Sequence, residues 1–211
     1  MAFDFKKEYK EFYLPPRKPE IVTVPPMQYV AVEGGGNPNV PGGLFQQAIQ
    51  VLYSLAYTVK MSKMSDHRMA GYFDFVVPPL EGFWWQAGVE RVDFTRKDAF
   101  QWIAAIRLPD FVTEAEFRWA KNEAETKKRL DCSAARLLSI EEGLCVQMLH
   151  VGSYDDEPAS VQKMERFVEE NGCRMDANGP RRHHEIYLSD ARKVPPDKRR
   201  TVLRLPVFRL S

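Results

Sequence analysis

His183-His184-Glu185-Ile186-Tyr187-Leu188-Ser189-Asp190 is a short segment with clear ends, bounded by Arg181 and Arg182 before it and by a proline-rich turn after it. Segments of that length and punctuation read as strands. Side chains alternate across a strand, so Ile186 and Leu188 share one face while His183, Glu185 and Tyr187 share the other. The first face suits a core. The second carries an imidazole, a carboxylate and a phenol in a row, the pattern of either a solvated face or a ligand-facing one. On the wall of an apolar cavity a carboxylate loses hydration and holds a proton more tightly, which suits a general acid/base or a counter-ion for a cationic guest.

Working outward, Val202 to Val207 reads as the next and last strand. Upstream, Cys145 to Val151 is a strand that ends in Gly152-Ser153-Tyr154, and Asp155-Asp156-Glu157-Pro158 supplies acids and a proline for the first turn of a helix. Val161, Met164 and Val168 form its apolar stripe, and it stops at Asn171-Gly172. The same order occurs earlier in the chain. Gln28 to Glu33 is a strand, and Phe45, Ala48, Ile49, Leu52, Ala56 and Val59 stripe a helix between Leu44 and Lys60. Tyr72 to Val77 and Phe100 to Leu108 read as two further strands. Tyr29-Val30-Ala31-Val32-Glu33-Gly34 can be laid, weakly, on Gln147-Met148-Leu149-His150-Val151-Gly152. The fold class expected is therefore α+β, a tandem strand-helix-strand-strand repeat that forms antiparallel sheets with a ligand groove between the repeats. In that arrangement each helix covers one face of its sheet, Ile186 and Leu188 face the helix, and Glu185 and Tyr187 face the uncovered groove.

One domain over residues 1–211 accommodates these pieces, with repeat 1 at about 21–109 and repeat 2 at about 144–208. Residues 1 to 20 read as a lead-in arm packed on the domain. Thr113-Glu114-Ala115-Glu116 has the capping-box pattern and opens a mostly charged linker helix at about 113–130.

Charge is balanced, 30 basic against 29 acidic residues, so no global field recruits nucleic acid or an anionic membrane. Three cysteines without a C-x-x-C pair indicate neither a disulfide framework nor zinc, and fit reduced thiols in the cytoplasm. No apolar h-region opens the chain, and no apolar run approaches the length of a membrane span. His183 and His184 point apart on a strand, which argues against a metal, and no cofactor is expected. Gly34-Gly35-Gly36 lacks a phosphate-loop pattern and G-x-S-x-G is absent, which removes the common nucleotide and serine-hydrolase readings.

Aromatic residues carry the ligand signal. Trp84 and Trp85 are adjacent and point opposite ways on extended chain, so one enters the core and the other lines a pocket or is exposed. Trp102 sits mid-strand, where core packing competes with ligand contact. Trp119, on the charged helix, reads either as a lid over the groove or as packing on the sheet rim. Together the rings favour a flat aromatic guest.

Four stretches, Pro79-Leu80-Glu81-Gly82-Phe83-Trp84-Trp85, Glu141-Glu142-Gly143-Leu144-Cys145-Val146-Gln147-Met148, Val151-Gly152-Ser153-Tyr154-Asp155-Asp156-Glu157-Pro158 and the opening stretch, resemble the GyrI-like small-molecule-binding proteins, specifically their free-standing branch. The resemblance runs from about residue 5 to the C-terminus. It implies the tandem fold, with ligand between the repeats and a pocket glutamate at Glu185. Relatives that regulate transcription carry a helix-turn-helix domain first; only about 28 residues precede the first strand here, so direct DNA binding is not expected. Some free-standing members hydrolyse cyclopropane-containing DNA-alkylating natural products. If that activity carries over, Glu185, Tyr187 and Tyr154 are the catalytic candidates, and Glu81, Trp84, Trp85, Trp102, Trp119 and His183 the ligand-binding ones. The partner expected is an aromatic or cationic small molecule, bound by a monomer or homodimer. A sequestering protein without turnover and a protein-binding module of the gyrase-inhibitor type are the alternatives.

Overall fold

The computed structural model describes residues 2–89, 92–93, 95–176 and 181–210. Its strands are β1 Glu20–Val24, β2 Met27–Gly35, β3 Leu80–Gln86, β4 Phe100–Arg107, β5 Ala135–Ile140, β6 Gly143–Val151, β7 Cys173–Met175, β8 His183–Tyr187 and β9 Arg200–Arg209. The helices are α1 Phe5–Glu8, α2 Lys10–Tyr13, α3 Leu44–Met61, α4 Glu114–Lys128 and α5 Glu157–Glu170. The strands form a single sheet in the order β1-β6-β9-β8-β3-β4-β2-β5, with β7 added on β9.

The repeat is real. Units β2-α3-β3-β4 and β6-α5-β8-β9 each lay their strands in the order first, third, second, and they meet where β3 pairs antiparallel with β8. In register, Gly82 lies opposite Glu185, Phe83 opposite His184 and Trp84 opposite His183. The correspondence of Tyr29 with Gln147 extends across the sheet, because Tyr29 pairs with Arg107 and Gln147 with Arg204, which sets two buried arginines at matching places.

Both long helices bury the stripes their periodicity indicates. Ala48, Leu52, Leu55, Ala56 and Val59 of α3 join the larger core, while Met164 and Val168 of α5 pack with Val146, Met148 and Leu203. Helix α4 begins where expected, with Thr113 Oγ1 accepting from the Glu116 amide at 3.3 Å, and packs beside α3 through Phe117, Ala120 and Ala124.

Two expectations need correction. Tyr72 to Val77 is not a sheet strand, because β4 and β8 already occupy both edges of β3. Leu80–Gln86 is the strand instead, and the earlier segment makes only a bridge between Phe75 and Phe3. The second correction concerns the faces of the sheet. Directly opposed residues share a face, so Trp84, Trp102, His183, Glu185 and Tyr187 lie together. Helix residues reach that same side: Phe45 of α3 meets both Trp84 and Trp102 at 5.1 Å, and Glu157 of α5 reaches Glu185. The groove side is therefore the side that carries the helices. Ile186 and His184 face away from them, toward a side closed by the N-terminal arm through Phe5, Phe12 and Tyr13. A sheet of this size has two faces to bury, and twenty aromatic-rich residues are enough to cap the one without helices.

Candidate functional site

The β3–β8 pair supplies the floor of the site. Gly82 has no Cβ, and a Cβ placed there would stand 2.6 Å from Trp84 Nε1 and 2.9 Å from Tyr187 Oη. The bare backbone lets the Trp84 indole fold back over its own strand and donate to Tyr187 Oη at 3.0 Å. Tyr187 in turn donates to Glu185 Oε2 at 2.8 Å. A chain from indole to phenol to carboxylate thus ends on Glu185, and charge-assisted bonds of this kind hold a carboxylate in place.

His183 Nε2 lies 3.2 Å from the other oxygen, Glu185 Oε1. From α5 comes Glu157, fully buried, its carboxyl aimed at the same spot. Burial first, and the charge of Glu185 second, push Glu157 well above the usual carboxylate range. The Tyr154 ring meets Tyr187 edge to face at 5.8 Å, with the Arg199 guanidinium over it at 5.3 Å. Burial drives Tyr154 up to about 12 despite Arg199, and burial together with Glu185 raises Tyr187 as well. Both phenols therefore keep their protons at neutral pH and act as donors.

Beside this cluster opens a cleft of about 670 Å³ walled by α5, β7 and the ends of β3 and β8. Trp84 and His183 belong to both, so they connect the cleft to Glu185. Trp85 turns to the opposite side of β3, stacks with Arg182 at 4.8 Å and lines the cleft mouth. The sequence reading that the two tryptophans diverge holds.

Other candidates fall elsewhere. Glu81 is buried on the arm-covered face, accepting from Tyr13 Oη at 3.1 Å and lying 2.9 Å from His184 Nε2. Alternation alone separates it from Glu185, since Gly82 rather than Glu81 stands opposite. Trp102 is packed against Phe45 and over Gly34, inside the core next to Trp84. Trp119 stacks on His67 at 4.2 Å, away from β3 and β8, so it forms no lid. Two contributors escaped the sequence reading. Phe45 looked like one more apolar helix position, and Glu157 looked like an acid placed for the helix amino end; the adjacent Pro158 was the only sign that the carboxyl enters a fixed turn.

Glu157, His183 and Glu185 present one ligand atom each within 4.8 Å of one another, the only such group of three or more His, Cys, Asp or Glu among the described residues. Two buried carboxyls this close need a proton or a cation to offset their charge.

The chain belongs to the GyrI-like family: the GyrI-like small molecule binding domain matches residues 17–207. A crystal structure of a hydrolase from Listeria innocua is 49% identical with a TM-score of 0.90, covering 98% of this chain and 100% of that one. Another crystal structure of a hydrolase from the same organism is 50% identical at 0.91, covering 99% and 100%. An uncharacterized conserved protein from Listeria innocua is 51% identical at 0.92, covering 98% and 100%. The C-terminal domain of EcmrR, at 10% identity and a TM-score of 0.57, shares the fold alone. A search of the curated proteins finds no match. No helix among the described residues is long and apolar enough to cross a membrane.

Proposed function

We propose that this protein binds flat, hydrophobic electrophiles in the cytoplasm and hydrolyses those with a strained cyclopropane ring. The observation that carries the reading is the chain from Trp84 through Tyr187 to Glu185, which orders one carboxylate directly behind the Trp84 and His183 wall of the cleft. Glu185 takes a proton from water as the water oxygen attacks the ring methylene. The ring carbon–carbon bond breaks, its electron pair flows into the conjugated carbonyl, and that oxygen takes up the proton to end as a phenol. Tyr187 donates to Glu185, so Tyr154 is assigned as the donor to the carbonyl oxygen where charge develops. Trp84 or Trp85, each on the cleft wall, stacks on the flat ring system. Strain and aromatisation drive the opening, so one base and good positioning suffice. The hydrolase descriptions of the Listeria neighbours, at about half identity, support a hydrolytic reaction without naming its substrate.

The test follows tryptophan quenching and product mass together when purified protein meets a spirocyclopropyl-dienone. Catalytic appearance of a water adduct, lost in Glu185→Gln while quenching persists, is the expected result. Quenching with no adduct would leave a sequestering protein, and equal turnover by Glu185→Gln would remove Glu185 from the chemistry.

A further inference from the structure

Glu157 is the first residue of α5, fully buried, and neither carboxyl oxygen has a hydrogen-bond donor among the described residues. Its surroundings explain why. From β8 it faces Glu185, His183 and Tyr187, and from the turn before α5 it faces Tyr154 and Asp155. On the β6 side, His150 is engaged by Ser160 Oγ at 2.9 Å and the Ser153 carbonyl at 3.0 Å. Among the described residues, Arg199 lies over Tyr154 and Lys97 at Asp155, and both are otherwise occupied. Arg199 donates to the carbonyls of Ala191 and Val194, and Lys97 pairs with Asp155 at 3.0 Å.

Two ionised carboxylates cannot hydrogen-bond each other, whereas a carboxylic acid and a carboxylate can. Glu185 Oε2 already serves as an acceptor, for Tyr187. Among the described residues Glu157 accepts from nothing, so the proton belongs there. The amino end of α5 favours an ionised group, but burial beside a like charge outweighs it, in line with the upward shift of Glu157.

We infer that Glu157 is a positioning residue for Glu185: it keeps the single proton of a buried carboxyl pair and through it holds the Glu185 carboxylate in place beside the cleft. The site then carries one negative charge rather than two, with Glu185 fixed by Tyr187 on one oxygen and steadied by the Glu157 acid. Guests that deliver one positive or partially positive centre match that charge. The inference deepens the hydrolase reading, and only its turnover arm rests on that reading.

Infrared difference spectroscopy of the full chain at neutral pH tests it without substrate. Wild type should show the carbonyl band of a buried carboxylic acid, Glu157→Gln should lose it, and Glu185→Gln should keep it. Absence of the band from wild type overturns the proposal, as does a band lost only in Glu185→Gln. One bound metal ion per chain that disappears in Glu157→Gln also overturns it, because a cation would displace the proton. Thermal denaturation supplies an independent readout. A raised carboxyl pKa in the folded state contributes stability at low pH that is lost as pH rises, so the gain in Tm of Glu157→Gln over wild type should grow from about pH 5 upward. A gain that does not change with pH contradicts the assignment. In the turnover assay, wild type should lose rate on the alkaline side as Glu157 ionises, and Glu157→Gln, which keeps a donor and cannot ionise, should not. A protein with the band but no turnover would retire the hydrolase reading and leave the carboxyl pair standing.

Discussion

The two faces of the β3–β8 pair hold carboxylates under opposite conditions. On the arm-covered face, Glu142 is closed in by His184 Nδ1 at 2.9 Å and Arg204 at 2.8 Å. Arg204 further donates to Gln147 Oε1 at 3.1 Å and to the Phe12 carbonyl at 2.7 Å, and His184 stacks on Phe83 at 3.9 Å. Burial opposes ionisation of Glu142, yet His184 and Arg204 bring its pKa down to about 2. Burial likewise opposes charge on His184, and Glu142 and Glu81 overcome it, so its pKa is raised. On the groove face, Glu185 is met by a phenol, an imidazole and a second acid. The contrast separates a finished ion network, which ties the arm and both repeats together, from an unfinished one that has capacity left for a guest. Unfinished polar sites lower stability, and proteins keep them where they bind or react.

Breaking the finished side should have the largest effect. Glu142→Ala leaves His184 and Arg204 as buried charges without their shared partner, and denaturant unfolding should show a loss of about 3–5 kcal/mol. Acid probes the same network without mutation. Glu142 has a folded-state value of about 2, below its unfolded one, so its contribution of about 3 kcal/mol is present above about pH 5 and is lost as pH falls toward 2. His184 has the opposite sign: its contribution is present below its unfolded value and is lost as pH rises through the raised folded one. A stability profile between pH 2 and 9 should therefore fall at both ends, and a flat acid limb would show that Glu142 is not held by charge.

On the unfinished side the pattern should reverse. Glu185→Gln should lower turnover by about 100-fold or more, as expected for removal of an acid/base group. Its unfolding free energy at neutral pH should be unchanged or higher, because it removes the buried negative charge of the pair. Loss of stability comparable to that of Glu142→Ala would erase the distinction between the faces. Gly82→Ala sharpens it with a smaller change. The added methyl must displace Trp84 Nε1 or Tyr187 Oη, costing about 1–3 kcal/mol, and it should reduce quenching by guest more than a conservative change on the other face such as Ile186→Val.

Much of this was legible in the chain. The alternation in the 183–190 stretch puts Glu185 and Tyr187 on one face, and the double strand-helix-strand-strand order is the order observed. Strand β5 and the edge strand β1 were not read, since each is held in place by β2 or β6 rather than by a strong pattern of its own. Tyr72 to Val77 has strand composition and no sheet edge to join. Trp119 sits on a helix whose apolar side is thin, and only the position of His67 shows what it stacks on.

The sequence by itself determined which residues alternate, where helices begin and stop, and that Trp84 and Trp85 must part, because these follow from backbone geometry within a few residues. Tertiary structure alone decided which face of the sheet the helices cover, that Glu81 and Glu185 end on opposite sides, and that Glu157 from α5 reaches Glu185 on β8. Those outcomes depend on register between β3 and β8 and on burial produced by segments about a hundred residues apart, and no local pattern carries that information.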